Sequence, residues 1–296
     1  MDSSNPTDTG TRQNLILRPS SGLVGLPEGQ SAPLEEMILR SLDHLSESAG
    51  LIALEPLQGE EQDFEIAAGV TMRMCWCPPG EFMMGSPQSE EGRWDDNEGQ
   101  VRVVLSKGFW MGKTQVTQAQ WQAVMGNNPS RLKGSNRPVT CVRWQDTQKF
   151  LERLNLRLGD STGERMALPT DAQWEYAART GQADAYACGS LDEVAWHKGN
   201  IDGKIHPVGI KKSNAWGLHD MLGNVWEWCQ DWLGPVLLDG IDPIGPDSSR
   251  KRVARGGCSL NAADVCRVEI RAGGNESGKY IHIGFRVART SGQWNP

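Results

Sequence analysis

Hydrophobic and polar positions fall into three textures along the chain. Residues 1–30 are rich in Ser, Thr, Pro, Gly and Asn, with few apolar positions. Such a stretch buries too little to fold alone, so disorder is expected there. The segment SAPLEEMILRSLDHLSESAG then places Leu34, Met37, Ile38, Leu42 and Leu45 on one face, with Ser31 as a cap and Pro33 in the first turn. This spacing predicts an amphipathic helix of about four turns within a helical and linker segment, 31–63. An isolated helix of that length is marginal, so it is expected to dock on its own domain or on a partner.

From Phe64 the texture changes to short apolar runs cut by Gly and Pro. MRMCWCPPGEFMMGSP and VRVVLSKGFWMGKTQVT read as strands joined by tight turns, with Gly80 and Gly85 as punctuation. Three helices are predicted next. Thr117 and Gln120 form a capping box ahead of QAQWQAVM, RWQDTQKFLERLNLRLG lines up Phe150, Leu151, Leu154 and Leu158, and Thr170 and Gln173 cap DAQWEYAART. Beyond 181 the pattern is loops and short strands. The expected architecture is an α+β domain over 64–290 with few regular elements and long loops.

Composition narrows the functional classes. Twelve Trp and 34 Gly against three Tyr and five Phe suggest irregular loops pinned by large rings. A net charge of -7 without a Lys/Arg block argues against nucleic acid and acidic membranes as partners. No apolar run reaches the ~18 residues of a membrane span, and the first residues lack a basic region followed by an apolar one. A cytoplasmic location without membrane insertion is expected, with surface display by another route left open. The seven cysteines are odd in number and contain no C-x-x-C pair, which favours reduced, buried thiols over a disulfide framework or zinc site. The five His show no metal-ligand spacing, SEEGRWDDNEG reads as a solvated loop, and GGNESG reads as flexible surface, not a phosphate loop.

Seven segments carry a resemblance: PPGEFMMGSP, GFWMGKTQVTQAQW, NRPVTCVRW, ALPTDAQWEYAAR, HPVGIKKSNAWGLHDMLGNVWEWCQDW, RVARGGCS and IGFRVAR. In this order they resemble the formylglycine-generating enzyme (sulfatase-modifying factor) family. The resemblance implies a variant of the C-type lectin fold. Enzymes of the family bind copper(I) with two cysteines five residues apart near the C-terminus and oxidise a substrate cysteine to formylglycine. On that pattern Cys266 falls on the second cysteine and Asn261 on the first, while Cys258 takes the Ser position after Gly-Gly. An amide cannot replace a thiolate for copper(I), so the family's copper site is expected to be absent. A site rebuilt from Cys258 and Cys266, and with it a copper-dependent oxidase, stays as the alternative.

Residues 258–283 keep the family's length and anchors but carry unusual occupants. Change confined to one window resembles the variable proteins of diversity-generating retroelements, which display a rewritten C-terminal segment on this kind of scaffold. The resemblance implies ligand binding, with a protein as the expected partner. Arg267, Arg271, Ile283 and Phe285 would be anchors. The candidate ligand-facing positions are Ser259, Leu260, Asn261, Asp264, Val265, Val268, Glu269, Ile270, Ala272, Gly274, Asn275, Lys279, Tyr280, Ile281 and His282, with Tyr280 and His282 offering the best contacts. Family members also bind calcium near HDMLGNVWEW. That site maps onto Asp220, Glu227 and the carbonyls of Gly223 and Val225, an oxygen set suited to a hard cation.

Overall fold

Alternation in EQDFEIA buries Phe64 and Ile66 while Glu61, Asp63 and Glu65 face outward, and this segment is strand β1, Glu61–Ala67. The computed structural model describes residues 55–90, 93, 98–159, 163–181, 189–201 and 204–291. Two units divide the chain, 1–54 and 55–296. The first lies outside the described residues, and with it the disorder expected over 1–30 and the amphipathic helix. The second begins before the expected start at 64. The acidic outer face of β1 reads as linker in sequence, but its charges are matched across the sheet: Arg73 binds Asp63 at 2.8 Å, and Lys113 pairs with Glu61.

Strand β1 pairs with β2 (Val70–Cys77), which pairs with β5 (Phe109–Gly112). The C-terminal strand β12 (Ala288–Ser291) lies between β5 and β6 (Glu164–Ala167), giving the antiparallel order β1-β2-β5-β12-β6. A second sheet, β10-β9-β7-β11, consists of Arg271–Gly274, Arg252–Arg255, Trp226–Trp232 and Ile283–Phe285. A third holds β3 (Gly80–Met84), β4 (Val101–Leu105) and β8 (Gly240–Ile241). The fold is α+β, with few regular elements and long connections.

The predicted helices form where the capping chemistry places them. Helix α1 (Gln118–Met125) starts with the reciprocal Thr117–Gln120 box and ends at Gly126, whose φ of 79° suits a residue without Cβ. Helix α2 (Trp144–Leu158) buries Phe150, Leu151 and Leu154. Helix α3 (Asp171–Arg179) carries the Thr170–Gln173 box, and a single turn, α4, covers Leu191–Val194. Trp121 stacks on Phe150 at 5.4 Å, and both meet Phe285 edge-on. The ring that closes this part of the core therefore comes from the C-terminal IGFR segment. Among the described residues no helix is long and apolar enough to cross a membrane.

Candidate ligand-binding surface

The 258–283 window starts and ends in the same sheet. It leaves β9 through Gly256 and Gly257, both at positive φ. Side chains are excluded at both: a Cβ on Gly256 would lie 2.7 Å from the Met221 carbonyl oxygen, and one on Gly257 would lie 2.8 Å from Cys266 Sγ. The chain then makes a 3-10 turn at Ala263–Val265, returns as β10 antiparallel to β9, turns at 275–278, and enters β11 parallel to β7.

Charge pins the middle of the window. Arg267 binds Glu90 at 2.5 Å and lies 3.5 Å from Glu269. Glu269 binds Arg179 at 2.6 Å, Arg179 binds Glu175 at 2.9 Å, and Glu175 binds Arg255 at 2.9 Å. Arg255 also pairs with Asp171, which binds Arg271 at 2.7 Å. Three window side chains thus converge on one helix, α3, through a buried chain of alternating charge. Breaking one member of such a chain strands its partner in the interior, which typically costs about 3–5 kcal/mol. Burial opposes ionisation of Asp171, but Arg255 and Arg271 outweigh it and hold its pKa below the usual value. Asp231 accepts from the Asp171 and Gly245 backbone N–H groups, and burial beside the Asp171 carboxylate pushes its pKa up to about 7.

Five of the expected ligand-facing positions are corrected by burial. Ser259 is buried and donates its N–H to the Asn224 carbonyl; Val268 and Ile270 join the two hydrophobic clusters; Glu269 is the ion-pair partner just described. Gly274 packs under Trp228, where a Cβ would sit 2.2 Å from the ring. Val265 and Ala272 are half-buried against the first cluster. Leu260, Asp264, Asn275, Lys279 and Ile281 are exposed, and Asn261, Tyr280 and His282 are half-exposed. Tyr280 packs edge-on to Trp228, and its hydroxyl accepts from Asn275 N–H at 3.0 Å. Burial lowers the His282 pKa.

The residues expected to hold calcium do not fit a cation as they stand. The Gln115 carboxamide donates to the Val225 carbonyl at 3.0 Å, to Glu227 Oε1 at 3.0 Å and to the Asp220 carbonyl at 3.3 Å, while its own oxygen accepts from Asn224 Nδ2 at 3.1 Å. Glu227 also accepts from Arg286 at 2.6 and 2.7 Å and from the Trp174 indole at 2.7 Å. A hard cation takes 6–8 oxygens, whereas here an amide lies among the acceptors and a guanidinium abuts the carboxylate. Gly223, the fourth member, donates its N–H to the Gly256 carbonyl at 2.7 Å. Asp220 Oδ2 accepts from Gly209 N–H at 2.7 Å, its Oδ1 is buried without a partner, and burial pushes its pKa up to about 6. Sequence reasoning missed Gln115 because its acceptors lie more than 100 residues away.

A sulfatase-modifying factor enzyme 1-like domain model matches residues 62–291. The chain belongs to this family. Within the sulfatase-modifying factor family it is 32% identical over 211 residues to the formylglycine-generating enzyme of Thermomonospora curvata, covering 63% of this chain and 65% of the enzyme. It is 30% identical over 238 residues to the chaperone protein LppX of Paenibacillus barcinonensis, covering 64% and 82%. Among solved structures it is similar to Treponema denticola variable protein 1, with TM-score 0.69 and 29% identity over 77% of this chain and 98% of that one. PvdO from Pseudomonas aeruginosa gives TM-score 0.67 and 26% identity over 79% and 99%. The fold is thus the C-type lectin-like fold of the sulfatase-modifying factor family, and a variable protein shares it.

The two thiols relevant to this family's copper chemistry are packed as core. Cys258 and Cys266 are free and buried, at 1% and 0% exposure, so Cys258 is not the surface substitution that a window residue suggests. Cys258 Sγ donates to Asn261 Oδ1 at 3.0 Å, and the same oxygen accepts from Cys258 N–H at 3.0 Å. Burial raises both thiol pKa values, that of Cys266 to about 12. Copper(I) is held by thiolates. Asn261 offers none and is already committed to Cys258, so the residues at the family's ligand positions do not fit a two-thiolate site.

Proposed function

We propose that this domain is a displayed binder of the variable-protein kind, recognising a protein ligand through the exposed part of residues 258–283. One observation carries the reading: the middle of the window is tied down by Glu269 and Arg271 on α3 and by Arg267 on Glu90 and Glu269, while Leu260, Asp264, Asn275, Lys279 and Ile281 on either side of those ties are exposed. Side chains at such positions can change at little cost to the fold, typically within about 0.5 kcal/mol. The likeness to Treponema denticola variable protein 1 supports the same reading. Leu260 and Ile281, at 48% and 42% exposure, and Tyr280 and His282 flanking Ile281, offer apolar and amphipathic surface suited to a protein partner.

The test is deep sequencing of codons 258–283 across a population grown from one cell, with the flanking DNA searched for a near-copy of that segment. The expected result is substitution at the exposed positions, sparing 267, 269 and 271, and a near-copy differing at adenines. A window no more variable than its neighbours, with no near-copy beside it, would overturn the reading.

A further inference from the structure

Beside the 275–278 turn of the window, a cleft of about 570 Å³ runs between helix α2 and the edge strand β6. Trp144, Leu151, Met166 and Ala167 form its apolar floor. Backbone groups on that floor are already satisfied: Asn155 donates to the Met166 carbonyl at 2.9 Å and accepts from the Met166 N–H at 2.8 Å. An added peptide strand therefore has no free hydrogen-bonding pair at Met166, which turns the choice of occupant towards a small molecule. Cavities of this size with an apolar lining and a few fixed polar groups are the usual form of small-molecule sites.

The fixed polar group is Arg252. Its guanidinium is clamped between Trp144 and Trp232, 3.7 and 3.6 Å from the ring centroids, and its side chain is 13% exposed. Nη1 donates to the Gln230 carbonyl at 2.9 Å, whereas Nε is buried without a hydrogen bond and pairs with the Glu276 carboxylate only as an ion pair at 3.7 Å. Buried donors are nearly always paired, and a guanidinium held flat by two rings has lost the motions that binding an anion would otherwise cost. Lys149 and Arg165 add two cations to the lining against the carboxylate of Glu152, and with Arg252 the three cations outnumber Glu152 and the neighbouring Glu276. We propose that this cleft binds an amphipathic carboxylate of the fatty-acid type, its tail along Trp144, Leu151 and Met166 and its carboxylate on Arg252.

The experiment is calorimetric titration of the full chain with dodecanoate, with butyrate and dodecyltrimethylammonium as the head-only and opposite-charge probes. The expected result is one saturable dodecanoate site per chain, with both other probes at least about tenfold weaker, the scale of a lost charged hydrogen bond. Arg252→Gln should weaken dodecanoate by about tenfold or more. Gln148→Trp, a half-buried wall position outside the core, should abolish binding by filling the cleft, and it decides the matter if Arg252→Gln fails to fold. Absence of a saturable site, equal binding of the ammonium probe, or unchanged affinity in Gln148→Trp would overturn the proposal.

Discussion

Replacing Gln115 with Ala tests whether a side-chain amide holds the 220–227 turn together. The change removes the donor shared by the Val225 carbonyl, Glu227 Oε1 and the Asp220 carbonyl, and the acceptor used by Asn224 Nδ2. Glu227 keeps Arg286 and Trp174, and Asn224 keeps the His206 carbonyl at 3.2 Å, so the loss falls mainly on Val225 and on the space left behind. Each buried polar group left unpaired costs about 1–3 kcal/mol, and with the cavity the total comes to about 3–5 kcal/mol. In a domain of this size that corresponds to a fall in Tm of roughly 10 °C. Urea unfolding followed by Trp fluorescence measures the first figure and calorimetry the second. The wild type is expected to melt at the same temperature in EDTA and in millimolar calcium chloride. A loss below about 1 kcal/mol, or a wild type that calcium stabilises, would refute the reasoning.

Other outcomes follow from the charge chain and the window. Glu269→Ala removes the carboxylate between Arg179 and Arg267, which keep Glu175 and Glu90, and should cost about 1–3 kcal/mol in denaturant unfolding, whereas Lys279→Ala should stay within about 0.5 kcal/mol. Asp231 has a folded pKa of about 7, above its unfolded value near 4, so the folded state holds its proton more tightly. Its stabilising contribution is complete below about pH 4 and is lost as pH rises through about 7. The stability gap between wild type and Asp231→Ala should therefore shrink from pH 5 to 7, by up to about 1.4 kcal/mol per unit, and urea unfolding at each pH would expose a gap that widens instead. Cys266→Ala should destabilise by about 1 kcal/mol through lost packing, read by thermal melting in the presence of a reductant.

The helices were legible because their signals are local: Thr117 with Gln120 and Thr170 with Gln173 bond within one turn, and α2 repeats its apolar residues at helical spacing. The window's location was legible from its fixed flanks. Its inside and outside were not, since Val268, Glu269 and Ile270 are consecutive and all buried, which no period of two or 3.6 produces. Val268 faces one core cluster and Ile270 the other, with Glu269 drawn inward by Arg179. Charged residues default to the surface in a sequence reading, so the pairing that buries Arg255, Glu175 and Asp171 is visible only when partners 80 or more residues apart meet. Gln115 escaped notice for the same reason.

Helix α3 receives ties from two window side chains, Glu269 and Arg271, and from Arg267 through Glu269, and this bears on how the surface breathes. A segment fastened at one point can fray residue by residue, but one whose Glu269 and Arg271 pair with Arg179 and Asp171 of a single nine-residue helix, with Arg267 pairing in turn with Glu269, cannot release a tie without disturbing the charge balance of the others. Amide exchange in the paired part of the window and in α3 should then proceed as one cooperative opening, near the global limit. Only the turns carrying Leu260 and Lys279 should exchange freely. A partner would thus meet a face whose frame is as rigid as the core and whose mobility is confined to a few side chains, with little ordering entropy left to oppose association.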